Sequence, residues 1–383
     1  MHFFYTFFTT INRGETMQTE KMDISKIDVN FAKTDVTETD ITWRKATDSA
    51  FDLRGVFYDE AAGCYYRMKR EIADQVSAGV QVLARCTVGG RIRFRTNSPY
   101  ITARVKSVKL NMSWNYSLFA RCGLCVYVNG VYDGFFRAGF KQWENAKDDI
   151  MRYDGIYYTR EKGVYDVEIY MPNYSEKIYD VEIGLKDGCE IYPAKPYTYN
   201  DKPVVFYGTS MTQGACVSRA GNDYISLLCR WCDTDFINLG FSGNGRGEPI
   251  MADYLADLDP SIFVLDYDGN VRSVEDLEKS HMPMYRKIRA KHPTTPIVLI
   301  TMPALDSNTH MFVQEKKELI YKNYLTMKAE GDNNVYFVDG KTLLGDEDVE
   351  AGFTDLLHPN DLGYYRIAKS LQPLFTEILN QTK

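Results

Sequence analysis

Apolar and polar positions follow two different periods along this chain, and the change falls close to residue 196. Before it, short runs alternate with period two. Arg91-Ile-Arg-Phe-Arg95 and Tyr100-Ile-Thr-Ala-Arg-Val105 read as neighbouring strands across Asn97-Ser98-Pro99. Cys125-Val-Tyr-Val128 and Val131-Tyr132 flank Asn129-Gly130, the pair that a two-residue hairpin turn favours because both central residues need positive φ. Val164–Tyr170 and Ile178–Ile183 alternate again. Short strands at this spacing, with no helical period visible over 56–193, predict an all-β sandwich of the jelly-roll type.

After Pro193–Pro203, a linker-like stretch, four-residue apolar runs alternate with amphipathic ones. Runs at 204–207, 236–239, 262–265, 297–300 and 335–338 predict buried parallel strands. Helices are expected near 222–233, 249–257, 274–291, 312–329 and 361–379. Strands alternating with helices imply a parallel sheet between two helical layers, a three-layer αβα sandwich. The expected division is a polar lead-in over 1–50, partly extended or disordered, then a β-sandwich domain over 51–195 and an α/β domain over 196–383. Two domains also suit 383 residues, more than one core usually serves.

Composition narrows the partners. A net charge of −7 without a dense Lys/Arg run gives no footprint for nucleic acid. No run reaches the ~20 apolar residues of a membrane-spanning helix. The apolar start, Met1–Phe8, lacks the basic residues and cleavage site of a secretion signal, and Met17 offers a more ordinary beginning. A cytoplasmic protein is expected. Eight cysteines in this length do not make a disulfide scaffold, and two CxxC pairs, Cys122/Cys125 and Cys229/Cys232, read as small buried hydrophobes on a strand and a helix rather than a metal site. Nothing in the pattern sets an oligomeric state.

Chemistry concentrates at the C-terminal ends of the predicted parallel strands, where open α/β sheets hold their sites. Gly208-Thr-Ser210 follows the first strand, Gly240-Phe-Ser-Gly243-Asn-Gly245 the second, Asp266-Tyr-Asp-Gly-Asn270 the third, and Asp355-Leu-Leu-His358 precedes the last helix. Each has an ordinary alternative: a turn serine, glycines that allow positive φ, a capping asparagine, a loop histidine. Together they supply what hydroxyl attack on an acyl carbon needs. His358 can be the base and Asp355 its orienting acid, because one turn of chain separates them. The Ser210 and Gly243 amides and the Asn270 side chain can be oxyanion donors.

These four stretches resemble the blocks of the SGNH (GDSL-type) hydrolases, built around Ser, Gly, Asn and His in this order. Gly208-Thr-Ser210 stands where Gly-Asp-Ser is more familiar, and the third block has no acid directly after Asn270. Upstream, Tyr65-Tyr-Arg-Met68, Gly90–Pro99 and Val167–Pro172 are similar to the β-sandwich that precedes the hydrolase domain in one subgroup of GDSL-like lipase/acylhydrolases. The resemblance implies a flavodoxin-like sheet, a Ser210–His358–Asp355 triad and an oxyanion hole of Ser210, Gly243 and Asn270. It also implies a small-molecule or carbohydrate ester as substrate, with no metal or organic cofactor. The expected activity is hydrolysis of short acyl, above all acetyl, esters. Its rivals are a longer-chain lipase or acyltransferase, a non-catalytic carbohydrate-binding protein on the same scaffold, and an assembly module. A rim of Thr209, Gln213, Ser242, Asn244, Gly245 and Arg246 suits a short acyl group on a hydroxyl-rich alcohol.

Overall fold

The computed structural model describes residues 36–110, 115–138, 146, 149–199, 202–305 and 311–381. The apolar start, Met17 and most of the expected lead-in lie outside them. Twelve strands come first: β1 (Ile41–Lys45), β2 (Asp52–Arg54), β3 (Phe57–Asp59), β4 (Cys64–Tyr66), β5 (Arg91–Thr96), β6 (Tyr100–Val108), β7 (Leu124–Val128), β8 (Val131–Phe136), β9 (Ile150–Tyr158), β10 (Tyr165–Tyr170), β11 (Ile178–Lys186) and β12 (Ile191–Tyr192). One antiparallel sheet runs β1-β11-β6-β9 and a second β12-β5-β10-β7-β8, with β2 also pairing β5. Their alternate residues meet in one core: Ile92, Phe94, Val126 and Val167 from the second sheet, Ile101, Val105, Met151 and Val181 from the first. The hairpin forms as the sequence predicts, with Val128 opposite Val131 and both Asn129 (φ 50°) and Gly130 (φ 80°) in the left-handed region.

Three features of this half differ from the sequence reading. β1 lies inside the stretch expected as a lead-in and pairs with β11. Helices α1 (Arg70–Val76), α2 (Ala78–Leu83) and α3 (Leu118–Cys122) interrupt the β pattern, and each is too short to display a period. Cys122 therefore closes a helix instead of sharing a strand with Cys125.

The second half alternates as expected: β13 (Val204–Gly208), α4 (Tyr224–Cys232), β14 (Phe236–Gly240), α5 (Pro249–Ala256), β15 (Ile262–Asp266), α6 (Val274–Lys291), β16 (Ile297–Ile300), α7 (Val313–Ala329), β17 (Val335–Val338) and α8 (Asp361–Gln381). The five strands are parallel in the order β14-β13-β15-β16-β17, the flavodoxin-like order. Because side chains alternate across a strand, Val204 and Phe206 pack on one face with α4 and α8, while Val205 and Tyr207 pack on the other with α5 and α6. Both cores take residues from the first half as well. Ala73 and Val80 of α1 and α2 join one, and Tyr127 and Tyr170 of the sandwich join the other. Among the described residues, no helix is long and apolar enough to cross a membrane.

Candidate active site

Parallel register fixes where the block residues stand, because Gly208 at the end of β13 lies opposite Gly240 of β14 and Asp266 of β15. The three loops that follow these strands therefore leave the sheet at one edge. Gly208 has to be glycine, since a Cβ there would fall 2.0 Å from Thr212 Oγ1 and 2.3 Å from the Asp266 carbonyl. The turn then coils back on itself. Gln213 N–H donates to Thr209 O (3.0 Å) and Ala215 N–H to Ser210 O (2.9 Å), while Thr212 Oγ1 accepts from Thr209 N–H (2.9 Å). Tyr174, on the loop after β10, donates its hydroxyl to Ser210 O at 3.2 Å.

Ser210 Oγ lies 3.0 Å from His358 Nε2. The other imidazole nitrogen, Nδ1, lies 3.0 Å from Asp355 Oδ2 and 3.2 Å from Oδ1. Both residues belong to a tight loop closed by the Phe353–Pro359 bridge and the bond from Thr354 N–H to His358 O (2.9 Å). Asn360 joins this loop to α8, with Nδ2 on Ala351 O (2.8 Å) and Oδ1 on Leu362 N–H (2.9 Å). Burial works against charge on Asp355. The bond to His358 and the N–H groups of His358 (2.6 Å) and Leu357 (2.8 Å) outweigh it and bring the carboxyl down to about 2. A proton on Ser210 thus has a base in reach, and that base has a carboxylate to hold its tautomer and offset its charge.

Asn270 ends the 3₁₀ turn Asp268–Asn270, and its Oδ1 accepts the Gly245 N–H at 3.3 Å. That bond assigns the carbonyl end of the amide and leaves Nδ2 as the end that can donate elsewhere. Gly243 sits at φ 68° in the β14 turn, and a Cβ on Gly245 would lie 2.0 Å from Gly208 O. The second loop is thereby pressed backbone to backbone against the first. Among the described residues, neither the Ser210 nor the Gly243 N–H has an acceptor. Direct hydrogen bonds join Ser210, His358 and Asp355, and the Asn270 and Gly243 loops meet beside them. Of the other histidines, His281 is buried against Asn323 and His292 bonds Ala256 O (3.0 Å), while His2 and His310 lie outside the described residues.

Three residues expected on the rim, Thr209, Gln213 and Gly245, are buried. Thr209 Oγ1 caps Met211 N–H (3.2 Å), and Gln213 Oε1 holds Ser242 N–H (2.9 Å). Ser242, Asn244 and Arg246 are partly exposed, whereas Gly245 is buried against Gly208.

Sequence reasoning did not single out the sandwich residues that reach the site. Asn115 Nδ2 donates to Asp355 Oδ2 at 3.2 Å, and Tyr116 stacks on Tyr174 with ring centroids 4.7 Å apart. Nothing in a polar, aromatic loop marks these residues in advance; they matter through partners that lie far along the chain. Cys216, just past the serine turn, was also overlooked. Its sulfur lies within 4.8 Å of donor atoms of both Asp355 and His358. Below the turn, Asp266 Oδ2 accepts from Tyr224 OH (2.9 Å) and Thr212 Oγ1 (3.1 Å).

Residues 201–376 match the GDSL-like lipase/acylhydrolase family, and residues 41–191 match the N-terminus of SGNH-hydrolase-type esterases. The second half of the chain is thus a GDSL-like lipase/acylhydrolase domain. It is a carboxylic ester hydrolase of the SGNH type. This acylhydrolase is similar to a GDSL-like lipase from Bacteroides ovatus at 28% identity, with 89% of this chain and 98% of that one covered and a TM-score of 0.76. A salicylyl-acyltransferase from a tetracycline biosynthetic pathway superposes with a TM-score of 0.71 at 20% identity, over 89% of this chain and 98% of the other. A family two carbohydrate esterase from Cellvibrio japonicus does so at 0.59 and 14% identity, over 90% and 99%. Among curated proteins none matches this acylhydrolase.

Proposed function

We propose that this acylhydrolase removes short acyl groups, acetyl above all, from hydroxyls of a carbohydrate-like substrate. The observation that carries the reading is the chain of contacts from Ser210 Oγ through His358 to Asp355. Ser210 Oγ attacks the ester carbonyl as His358 Nε2 takes its proton, and Asp355 balances the imidazolium. Negative charge then gathers on the carbonyl oxygen, where the N–H groups of Ser210 and Gly243 and the Asn270 amide can meet it. His358 returns its proton to the leaving alcohol. A water, deprotonated by the same imidazole, releases the acyl group from Ser210.

The short-chain preference rests on the walls. Met211 and Phe241, the apolar side chains nearest the two loops in sequence, are buried in the core, and the acid–histidine loop adds Leu356, 67% exposed, and the partly buried Leu357. A fatty chain needs a longer apolar groove than this. The sugar preference rests on Tyr116, half-buried beside the triad and stacked on Tyr174, a ring of the kind that sugar faces pack against. The fold shared with the carbohydrate esterase fits the same substrate class. Transfer to an acceptor alcohol is a second reading, suggested by the fold shared with the acyltransferase.

The test is a panel of acetylated sugars and p-nitrophenyl esters from acetyl to dodecanoyl, with and without an acceptor alcohol. The expected result is kcat/KM falling with acyl length and free acid as the product. Ser210→Ala is expected to lose about 10⁴–10⁶ in kcat with the fold intact. Activity of a folded Ser210→Ala protein would end the mechanism, and a maximum at octanoyl or beyond would end the short-chain reading.

A further inference from the structure

Cys216 has no part in the chemistry above, yet it stands at the acid end of the triad. We propose that Cys216, Asp355 and His358 form a site for a soft divalent cation of the zinc class, which switches the esterase off. The three donor atoms, one sulfur, one oxygen and one nitrogen, lie within 4.8 Å of one another. Around a tetrahedral zinc ion, bonds of about 2.0–2.3 Å put ligand atoms roughly 3.3–3.8 Å apart. Rotation of the side chains by about an ångström closes the difference.

The donor set selects the metal class. Magnesium and calcium require shells made of oxygen, whereas mixed sulfur, nitrogen and oxygen ligands favour zinc and its neighbours. Three protein ligands leave a fourth position for water, as in open zinc sites. The frame is already held. Cys216 sits at φ 66° in the coiled turn that begins at Ser210, and the Asp355–His358 loop is closed at both ends. The entry route is short, because Asp355 is exposed and Cys216 and His358 are only half-buried.

The metal brings its own charge to the site. Burial first, and then the charge of Asp355, push the Cys216 thiol up to about 12. The empty site is therefore a neutral thiol beside a carboxylate, and the thiol proton leaves to solvent as the Cys216 sulfur–metal bond forms. Losing that proton costs binding energy at neutral pH, which the attraction of a dication for the thiolate and the carboxylate offsets. The same high thiol pKa argues against an oxidation sensor, whose reactivity requires thiolate. Binding engages Nδ1, the nitrogen that now faces Asp355, so it breaks the Asp355–His358 bond and withdraws the imidazole as a base for Ser210. Inhibition thus rests on His358 being that base; binding does not.

Cobalt titration of the Ser210→Ala protein decides the binding, whatever the catalytic role of Ser210. A thiolate-to-cobalt charge-transfer band is expected, absent once Cys216→Ala is added, with affinity rising with pH because a proton must leave. For the active protein, zinc is expected to inhibit p-nitrophenyl acetate hydrolysis, reversibly by a chelator. Cys216→Ala should keep the metal-free kcat and need at least about 10-fold more zinc, the least that loss of even an outer-shell partner costs. Cys216→Ser serves where the alanine variant folds poorly. No thiolate band, or equal zinc sensitivity of wild type and variant, overturns the proposal.

Discussion

Asn270 holds one loop with one end of its amide, and the other end is the proposed donor to the reacting carbonyl. Its Oδ1 anchors Gly245, so a substitution touches both the loop and the proposed oxyanion donor. Asn270→Ala is expected to lower kcat by about 10²–10³ while KM stays nearly constant, because the bond strengthens as charge develops on oxygen. A change confined to KM in steady-state kinetics would make Asn270 a binding or loop-fixing residue. Asn115 acts one step further out, on the carboxylate of Asp355. A hydrogen bond to a charged group contributes about 1.5–3 kcal/mol at most when exposed, so Asn115→Ala should lower kcat about tenfold, with a small drop in the thermal midpoint. Asp355 also titrates. Its folded-state pKa is depressed from 3.8 to about 2, so its contribution to stability is present above pH 4 and is lost as pH falls through 2.

At the scale of elements, the end of β15 carries an unusual load. Asp266 and Asp268 are both buried within three residues, and Oδ1 of each lacks a hydrogen-bond partner. Burial, and then the charge of Asp268, raise Asp266 from 3.8 to about 8. A raised folded-state pKa for an acid means a stability contribution that is whole below pH 4 and drains away as pH rises toward 8. Asp266→Asn keeps an acceptor for Tyr224 and Thr212 and cannot ionise. Its stability relative to wild type should therefore rise from pH 5 to pH 8 in denaturant titrations, and a constant difference would refute the assignment.

The elements of the second half were legible because both faces of the parallel sheet are buried. Runs such as Ile297–Ile300 and Val335–Val338 are continuous, and α6 keeps its period over Val274–Lys291. That Ser210, Asp355 and His358 stand together was legible because the turn and the short loop encode their own geometry. α1 and α2 were not, since Ser77 divides them by capping the second on Val80 N–H before either completes a periodic stripe. β1 was not, since an edge strand alternates weakly and Ile41–Lys45 buries none of its residues fully. Thr209 and Gln213 read as rim because polarity looks alike whether it faces water or a buried hydrogen bond.

For the whole molecule, the seam between the halves is polar as well as apolar. Arg91 of the sandwich is fully buried, paired with Asp235, bonded to Phe236 O (3.0 Å) and stacked 3.7 Å over the Phe236 ring. Arg54 shares Asp235 at 3.1 Å, and Arg67 reaches Asn238 O at 2.7 Å. Removing Arg91 leaves the buried Asp235 with Arg54 as its remaining cation. Arg91→Ala is expected to cost about 3 kcal/mol, the low end for a broken buried pair, with both halves still unfolding in one transition. Two separate transitions in the wild type would show that the shared cores do not bind the halves together.

The contact of Asn115 with Asp355 and of Tyr174 with Ser210 has a consequence for descent. A lineage that exchanged its sandwich for an unrelated one would keep serine, histidine and aspartate in place and still lose the hands that steady them. The two halves are therefore expected to be inherited as a pair. On the proposed function, drift in the sandwich loops around Asn115 and Tyr116 is the expected route to new substrates, since it alters the neighbourhood of the ester while the hydrolytic loops stay as they are.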